Sequence, residues 1–177
     1  KGKLDLLLTG RFDRIIYETT PLQYLGFLDT TKIYQQFTPK IALNYKLTPN
    51  VAIYTSFGTG YDTPALSELN NYPFSSNEGR TVLNPDLTAQ KSLNFEIGIK
   101  GTMQKERSEF FKKTYFTATF YNSRVDEEIV PFTVSDRVYF RNAAKTNRTG
   151  VEIGLKNELF EGLEVVSNYN YAFFKYT

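Results

Sequence analysis

The chain contains no cysteine, no histidine and no tryptophan. Without cysteine there is no disulfide and no thiolate nucleophile. Without histidine the ordinary acid–base group of neutral pH is missing, and with it most zinc and copper sites. No residue pair remains that could serve as nucleophile and base, which speaks against an enzyme. The formal net charge is only +2 over 177 residues, so the electrostatic footprint of a nucleic-acid binder is absent. No run of about 18 apolar residues occurs, so no transmembrane helix is encoded. Lys1 opens directly into a strand pattern without a leader, and the reading is that of a piece of something larger.

What is present is aromatic and alternating. There are 15 Phe and 13 Tyr, while hydrophobic residues reach only 41%. That combination suits strands with one face towards lipid and one towards a wet interior, with tyrosine in place of tryptophan at the interfaces. Lys3–Asp13 puts Leu4, Leu6, Leu8 and Phe12 on one parity. In Gln36–Leu47, Phe37, Ile41, Leu43 and Tyr45 alternate with Thr38, Lys40, Asn44 and Lys46. Ser92–Lys100 sets Leu93, Phe95, Ile97 and Ile99 against Asn94, Glu96 and Lys100. Thr114–Arg124 is rich in β-branched and aromatic residues, and Val151, Ile153 and Leu155 alternate with Glu152 and Lys156. Val51–Phe57 carries aromatics on both parities, Tyr54 and Phe57, and its faces stay open. Leu163–Tyr176 closes the series as an aromatic strand. Gly150 marks a bulge or bend.

The connections read as alternately long and short: Arg14–Gln35, Thr48–Asn50, Gly58–Lys91, an intermediate Gly101–Lys113, Val125–Arg137, and Phe160–Gly162. Outer-membrane barrels have this asymmetry, with short turns at one end and long loops at the other. A soluble sandwich has no reason for it.

Four stretches carry a family resemblance. Gly58-Thr59-Gly60-Tyr61-Asp62-Thr63-Pro64-Ala65-Leu66-Ser67-Glu68-Leu69 is followed by Asn84-Pro85-Asp86-Leu87 and by the strand Phe95-Glu96-Ile97-Gly98-Ile99-Lys100-Gly101. Farther on stands Tyr139-Phe140-Arg141-Asn142-Ala143-Ala144-Lys145, ending at Gly150-Val151-Glu152. This order resembles the C-terminal part of TonB-dependent outer-membrane receptors. Thr88-Ala89-Gln90-Lys91 departs from the Pro-Glu pair usual there, and Ala144 replaces a glycine.

The resemblance implies an all-β fold: an antiparallel transmembrane β-barrel, of which residues 1–177 supply about seven strands out of about 22. It implies an N-terminal plug domain and closing C-terminal strands outside this chain, and location in the outer membrane of a diderm bacterium. Its implied partners are outer-membrane lipid, the plug, the TonB energy-transducing complex acting through the plug, and a ferric siderophore or similar chelate. No cofactor and no catalytic residue are expected. The alternative is a passive porin or structural barrel without a plug.

Ligand contacts are expected in the long connections, at Tyr61, Tyr72, Phe74, Arg80, Arg137, Tyr139 and Arg141. Aromatic rings and guanidinium groups suit anionic, partly apolar chelates. The competing role for each is girdle, loop packing or contact with lipopolysaccharide. Parity assigns Arg11, Lys40, Lys46, Glu96, Lys100, Glu152 and Lys156 to the lumen, pairing across strands or with the plug. Glu127-Glu128 could attract a cation but reads more simply as a solvated pair.

Overall fold

The computed structural model describes residues 2–19, 30–70, 83–104, 112–160 and 162–176. Among them seven strands form one antiparallel sheet in sequence order: β1 (Leu4–Thr19), β2 (Thr30–Thr48), β3 (Val51–Asp62), β4 (Gln90–Gln104), β5 (Lys113–Val134), β6 (Arg137–Glu158) and β7 (Glu164–Tyr176). One short helix, α1 (Leu66–Asn70), lies between β3 and β4. Each strand pairs with its neighbours in sequence, so the sheet is a pure meander.

The register turns the alternation of the sequence into two faces. Leu8 stands opposite Ile41, Ile41 opposite Phe57, Phe57 opposite Phe95, and Ile97 opposite Phe120 and Thr55. Phe120 faces Val151, which faces Tyr171. This face is apolar from edge to edge and no described residue covers it: Leu8 is 66% exposed, Ile97 43% and Ile153 41%. An open apolar surface of this extent marks contact with another apolar phase. The opposite face carries Arg11, Lys40, Lys46, Glu96, Lys100, Glu152 and Lys156, all in matching register. A slip of one residue in any strand would exchange the two faces.

The structure differs from the sequence reading in four respects. The strands are longer than the 9–11 residues of a bare crossing, running from 12 to 22 residues. Val125–Arg137 is no loop: β5 and β6 form one long hairpin closed by Ser135 and Asp136, whose φ angles of 48° and 62° are those of a tight primed turn. The long connection at that point is therefore two residues of turn on a projecting ribbon. Likewise β1 continues to Thr19 and β2 begins at Thr30, inside the segment read as loop. Gly150 marks no bulge, because β6 keeps register with β7 from Thr146 to Glu158. The bulge lies in β5 instead, between Val125 and Glu128, where Glu127 takes φ 60°. At Gly150 the missing side chain makes room: a Cβ there would meet the Tyr121 ring at 2.5 Å.

Tyr54 and Phe57, whose faces parity left open, separate cleanly. Phe57 belongs to the apolar face, and Tyr54 lies on the polar face over Gly98.

Candidate functional site

The conventional core is small and sits at one end of the sheet. Among the described residues it comprises Tyr34, Leu69, Leu83, Leu87 and Ala89, with Tyr17, Tyr61, Ile129 and Phe140 packed against it. Leu69, Leu83 and Leu87 are at most 1% exposed. Tyr17 and Tyr34 share the parity of Arg11 and Lys40 through an unbroken β1–β2 register, and Phe140 packs against the same cluster. The β3–β4 connection therefore folds onto the polar face, at the end away from the turn Pro49-Asn50.

Both family-like stretches of that connection are structural. In the first, Pro64 is fully buried and its carbonyl accepts the Tyr17 hydroxyl at 2.8 Å. Glu68 folds back to accept the Ala65 amide at 2.8 Å, capping α1, and Leu69 enters the core. In the second, the Asn84 side chain accepts the Asp86 amide at 3.0 Å, closing a local turn. Lys32 donates to the carbonyls of Asn84 and Pro85, and the Tyr34 hydroxyl donates to Leu87 O at 2.6 Å. The Asn84 amide donates to Leu69 O at 2.8 Å and joins the two stretches.

Asn142 fixes this loop to the β5–β6 hairpin. Its Oδ1 accepts the Thr88 amide at 2.7 Å, and its Nδ2 donates to Thr88 O at 3.0 Å and Glu127 O at 2.7 Å. A side-chain amide thus replaces one rung of a strand ladder. The carbonyl of Glu127 is available because the bulge turns it out of the β5–β6 pairing. Sequence reasoning gave no role to Lys32 and Tyr34, which fell in the connection Arg14–Gln35, or to Asn142, which stood in a family-like stretch with no partner in view.

The candidate ligand residues divide. Tyr61 is partly buried and lines an open cavity of about 640 Å³ together with Lys32, Tyr34 and Lys91, where β3 has parted from β2. Arg141 lines a second cavity of about 300 Å³ that includes Asn84, Leu87 and Asn142. Its guanidinium stacks 5.2 Å from the Phe132 ring, which lies 5.8 Å from Tyr139. Leu87, Thr88 and Glu127 form the wall shared by the two cavities. Arg137 opens β6 at the hairpin tip, away from both. Tyr72, Phe74 and Arg80 lie outside the described residues.

The charged residues of the polar face pair mostly with one another. Arg11 meets Asp13 at 2.8 Å, Lys46 meets Asp5 at 3.0 Å, and Lys156 meets Glu164 at 2.7 Å. Glu152 accepts Asn170 Nδ2 at 3.3 Å. Lys40, Glu96 and Lys100 line a cavity of about 330 Å³ with Asp5, Asn44 and Tyr54. Glu128 accepts Arg148 at 3.3 Å, and no cluster of three or more metal-ligating side chains occurs among the described residues. These pairs are exposed and individually weak. Their chemistry is that of a hydrated wall.

Comparison with known proteins agrees with this architecture. The family model described as TonB dependent receptor-like, beta-barrel matches residues 1–177. Among solved structures, the copper transporter OprC superposes with a TM-score of 0.76 at 15% identity, covering 99% of this chain and 27% of that protein. The ferric-catecholate import receptor Fiu from E. coli K12 gives 0.69 at 18% identity, covering 99% and 26%. The alcaligin outer-membrane receptor FauA from Bordetella pertussis gives 0.64 at 16%, covering 99% and 28%. At these identities the likeness is one of fold, and the chain spans roughly a quarter of each receptor's length. With an uncovered apolar face, a charged opposite face and a family match from end to end, the chain belongs to the TonB-dependent receptors, as part of their β-barrel.

Proposed function

We propose that this segment is barrel wall in a TonB-dependent active transporter of a diderm outer membrane, importing a chelated nutrient, with a ferric siderophore as the leading cargo. One observation carries the reading: among the described residues the sheet leaves its apolar face bare and carries its packed core on the polar face at one end. A wall between lipid and a lumen needs that division, because in lipid every backbone group must be paired and every exposed side chain apolar. The long-loop end is then extracellular. Arg11, Lys40, Lys46, Glu96, Lys100, Glu152 and Lys156 face the lumen, where plug residues supplied by the rest of the protein meet them. Tyr61 and Arg141 are the favoured cargo contacts, since each lines an open cavity at that end; Arg137 and Tyr139 lie farther out on the hairpin. The copper, ferric-catecholate and alcaligin proteins named above support a metal or metal-chelate cargo.

The test is uptake by cells carrying the full-length gene. Radiolabelled ferric siderophore should accumulate only when TonB and the proton gradient are intact. Flux of small solutes that persists after TonB is deleted would establish the passive porin instead.

A further inference from the structure

β2 and β3 separate at Pro39. The Lys46 amide donates to Lys3 O at 2.7 Å, so the even residues of β2 direct their backbone groups at β1 and the odd residues direct theirs at β3. Pro39 is odd and has no N–H to give. The β2–β3 ladder runs only between Lys40↔Gly58 and Thr48↔Val51, while β2 stays paired with β1 as far as Thr30↔Thr19. A fork therefore opens above Pro39. The Thr59 hydroxyl bridges its base by donating to Pro39 O at 3.5 Å.

One bank of the fork is a bare edge. Thr31, Ile33, Gln35 and Phe37 turn their backbone groups away from β1, and no described strand pairs with them on that side. The Phe37 carbonyl accepts the Gln36 side-chain amide at 3.2 Å. From Thr31 to Phe37 the edge runs about 20 Å at the rise of a strand. Pro39–Leu47 already supplies the length of a membrane crossing, so the edge stands outside the hydrocarbon, where unpaired backbone is not tolerated. Sheets blunt such an edge with lysine, proline or a bulge. Here Pro39 lies only at the base, Lys32 is drawn onto the carbonyls of Asn84 and Pro85, and the β1–β2 register has no bulge. The edge is left as a template for one more strand. Tyr61 stands on the other bank, and the open cavity of about 640 Å³ is lined by Ile33 and Gln35 together with Tyr61 and Lys91.

We propose that this edge binds the backbone of a peptidic cargo by strand addition. The carrier of the chelated metal is then an extended, amide-rich chain whose N–H and C=O groups pair with Ile33 and Gln35. Main-chain pairing supplies the affinity, and the side chains around the cavity supply the selectivity. Cargo that touches Tyr61 lies in the same cavity as the edge, which is why the occupant is cargo. The inference rests on the cargo entrance set out under the proposed function and narrows the cargo to peptidic chelates.

The experiment uses the full-length receptor in lipid nanodiscs with two iron-loaded probes. One is the ferric complex of a linear peptide of Nδ-acyl-Nδ-hydroxyornithines; the other is the same chelate with its backbone amides N-methylated. Methylation removes the peptide donors and leaves the iron centre unchanged. The first probe should bind at least about tenfold more tightly, since several amide bonds are lost in the second. Amide hydrogen exchange resolved to single residues gives an independent readout. In the free receptor Ile33 and Gln35 should exchange faster than Lys32, Tyr34 and Gln36. The first probe should slow Ile33 and Gln35 alone, a parity that side-chain contact would not produce. Ile33→Pro removes one edge donor, spares the β1 ladder and should narrow the preference between the probes severalfold. Heat-modifiable gel mobility checks folding; if that variant fails to fold, the exchange pattern of the wild type decides alone. Equal binding of the two probes, full protection of Ile33 and Gln35 in the free receptor, or protection without alternation would each overturn strand addition. Failure of both probes to bind, in a receptor that takes up an amide-free ferric chelate through TonB, would do the same and leave the transporter standing. Absence of TonB-dependent uptake of any ferric chelate would remove the proposed function itself, a separate failure.

Discussion

The Tyr54 hydroxyl hydrogen-bonds the Thr119 hydroxyl across a whole intervening strand. The register puts Tyr54 beside Gly98 and Gly98 beside Thr119, so the ring lies flat over the glycine. A Cβ at Gly98 would stand 2.7 Å from the ring tip. The device recurs two strands on, where Tyr121 covers Gly150 and its hydroxyl reaches Asn170 Oδ1 at 3.4 Å. Each tyrosine fills a gap left by glycine and ties three strands together. A sheet wet on this face has no packed core to do so.

Gly98→Ala should therefore cost about 1–3 kcal/mol by displacing the ring and crowding the Ala118 carbonyl, and Tyr54→Phe about 1 kcal/mol by removing one hydroxyl bond. In a Tyr54→Ser background, Gly98→Ala should cost less without becoming neutral, because the Ala118 carbonyl oxygen also stands 2.7 Å from that Cβ. Denaturant unfolding of the full-length receptor in vesicles measures all of these. An undiminished cost of Gly98→Ala in that background would show that the ring is not the cause.

Asn142→Leu removes the partner of the Thr88 amide and of two carbonyls at once. Each stranded group costs about 1–3 kcal/mol, which the loop can escape only by opening to water. Hydrogen exchange across residues 83–89 should accelerate about tenfold or more, at 1.4 kcal/mol per decade, with β4 and β6 near Ile97 and Ile153 unchanged. Unaltered exchange in 83–89 would mean that Lys32 and Tyr34 suffice to hold the loop.

The hairpin tip holds two non-glycine residues at positive φ, Ser135 and Asp136. Asp136→Gly should stabilise the ribbon by up to about 1 kcal/mol, and Ser135→Val should weaken it by a similar amount. Exchange protection of amides between Glu128 and Asn142 reports the direction. Slower exchange in Ser135→Val would contradict the turn geometry.

The part of the fold proposed to cross the membrane was legible because period two holds there: from Leu93 to Lys100 the residues alternate strictly between the apolar and the polar face. Beyond the crossing that constraint lapses. Ile15 and Ile16 follow one another in β1, and at the β5 bulge Glu127 breaks the parity that joins Phe120 to Asn122. Hence the ends of β1, β2, β5 and β6 read as loop. Tyr54 was opaque for another reason: an aromatic on the polar face makes sense only once Gly98 is known to lie beneath it. Of the candidate site, Tyr61 and Arg141 came out beside cavities. Asn142, which joins the walls of those cavities, stood in a family-like stretch, but its role could not be read because its partner Thr88 lies 54 residues away in the chain.

Which face meets lipid is the claim on which the rest depends, and the segment has no native cysteine to interfere with labelling. Single cysteines at Ile97, Ile153, Glu96 and Glu152 of the full-length receptor, spin-labelled in liposomes, can be compared for collision with dissolved oxygen and with a water-soluble nickel chelate. Labels at positions 97 and 153 should favour oxygen, and labels at their immediate neighbours 96 and 152 should favour nickel. Equal accessibility of the neighbouring positions, or the reverse assignment, would contradict a wall between lipid and lumen.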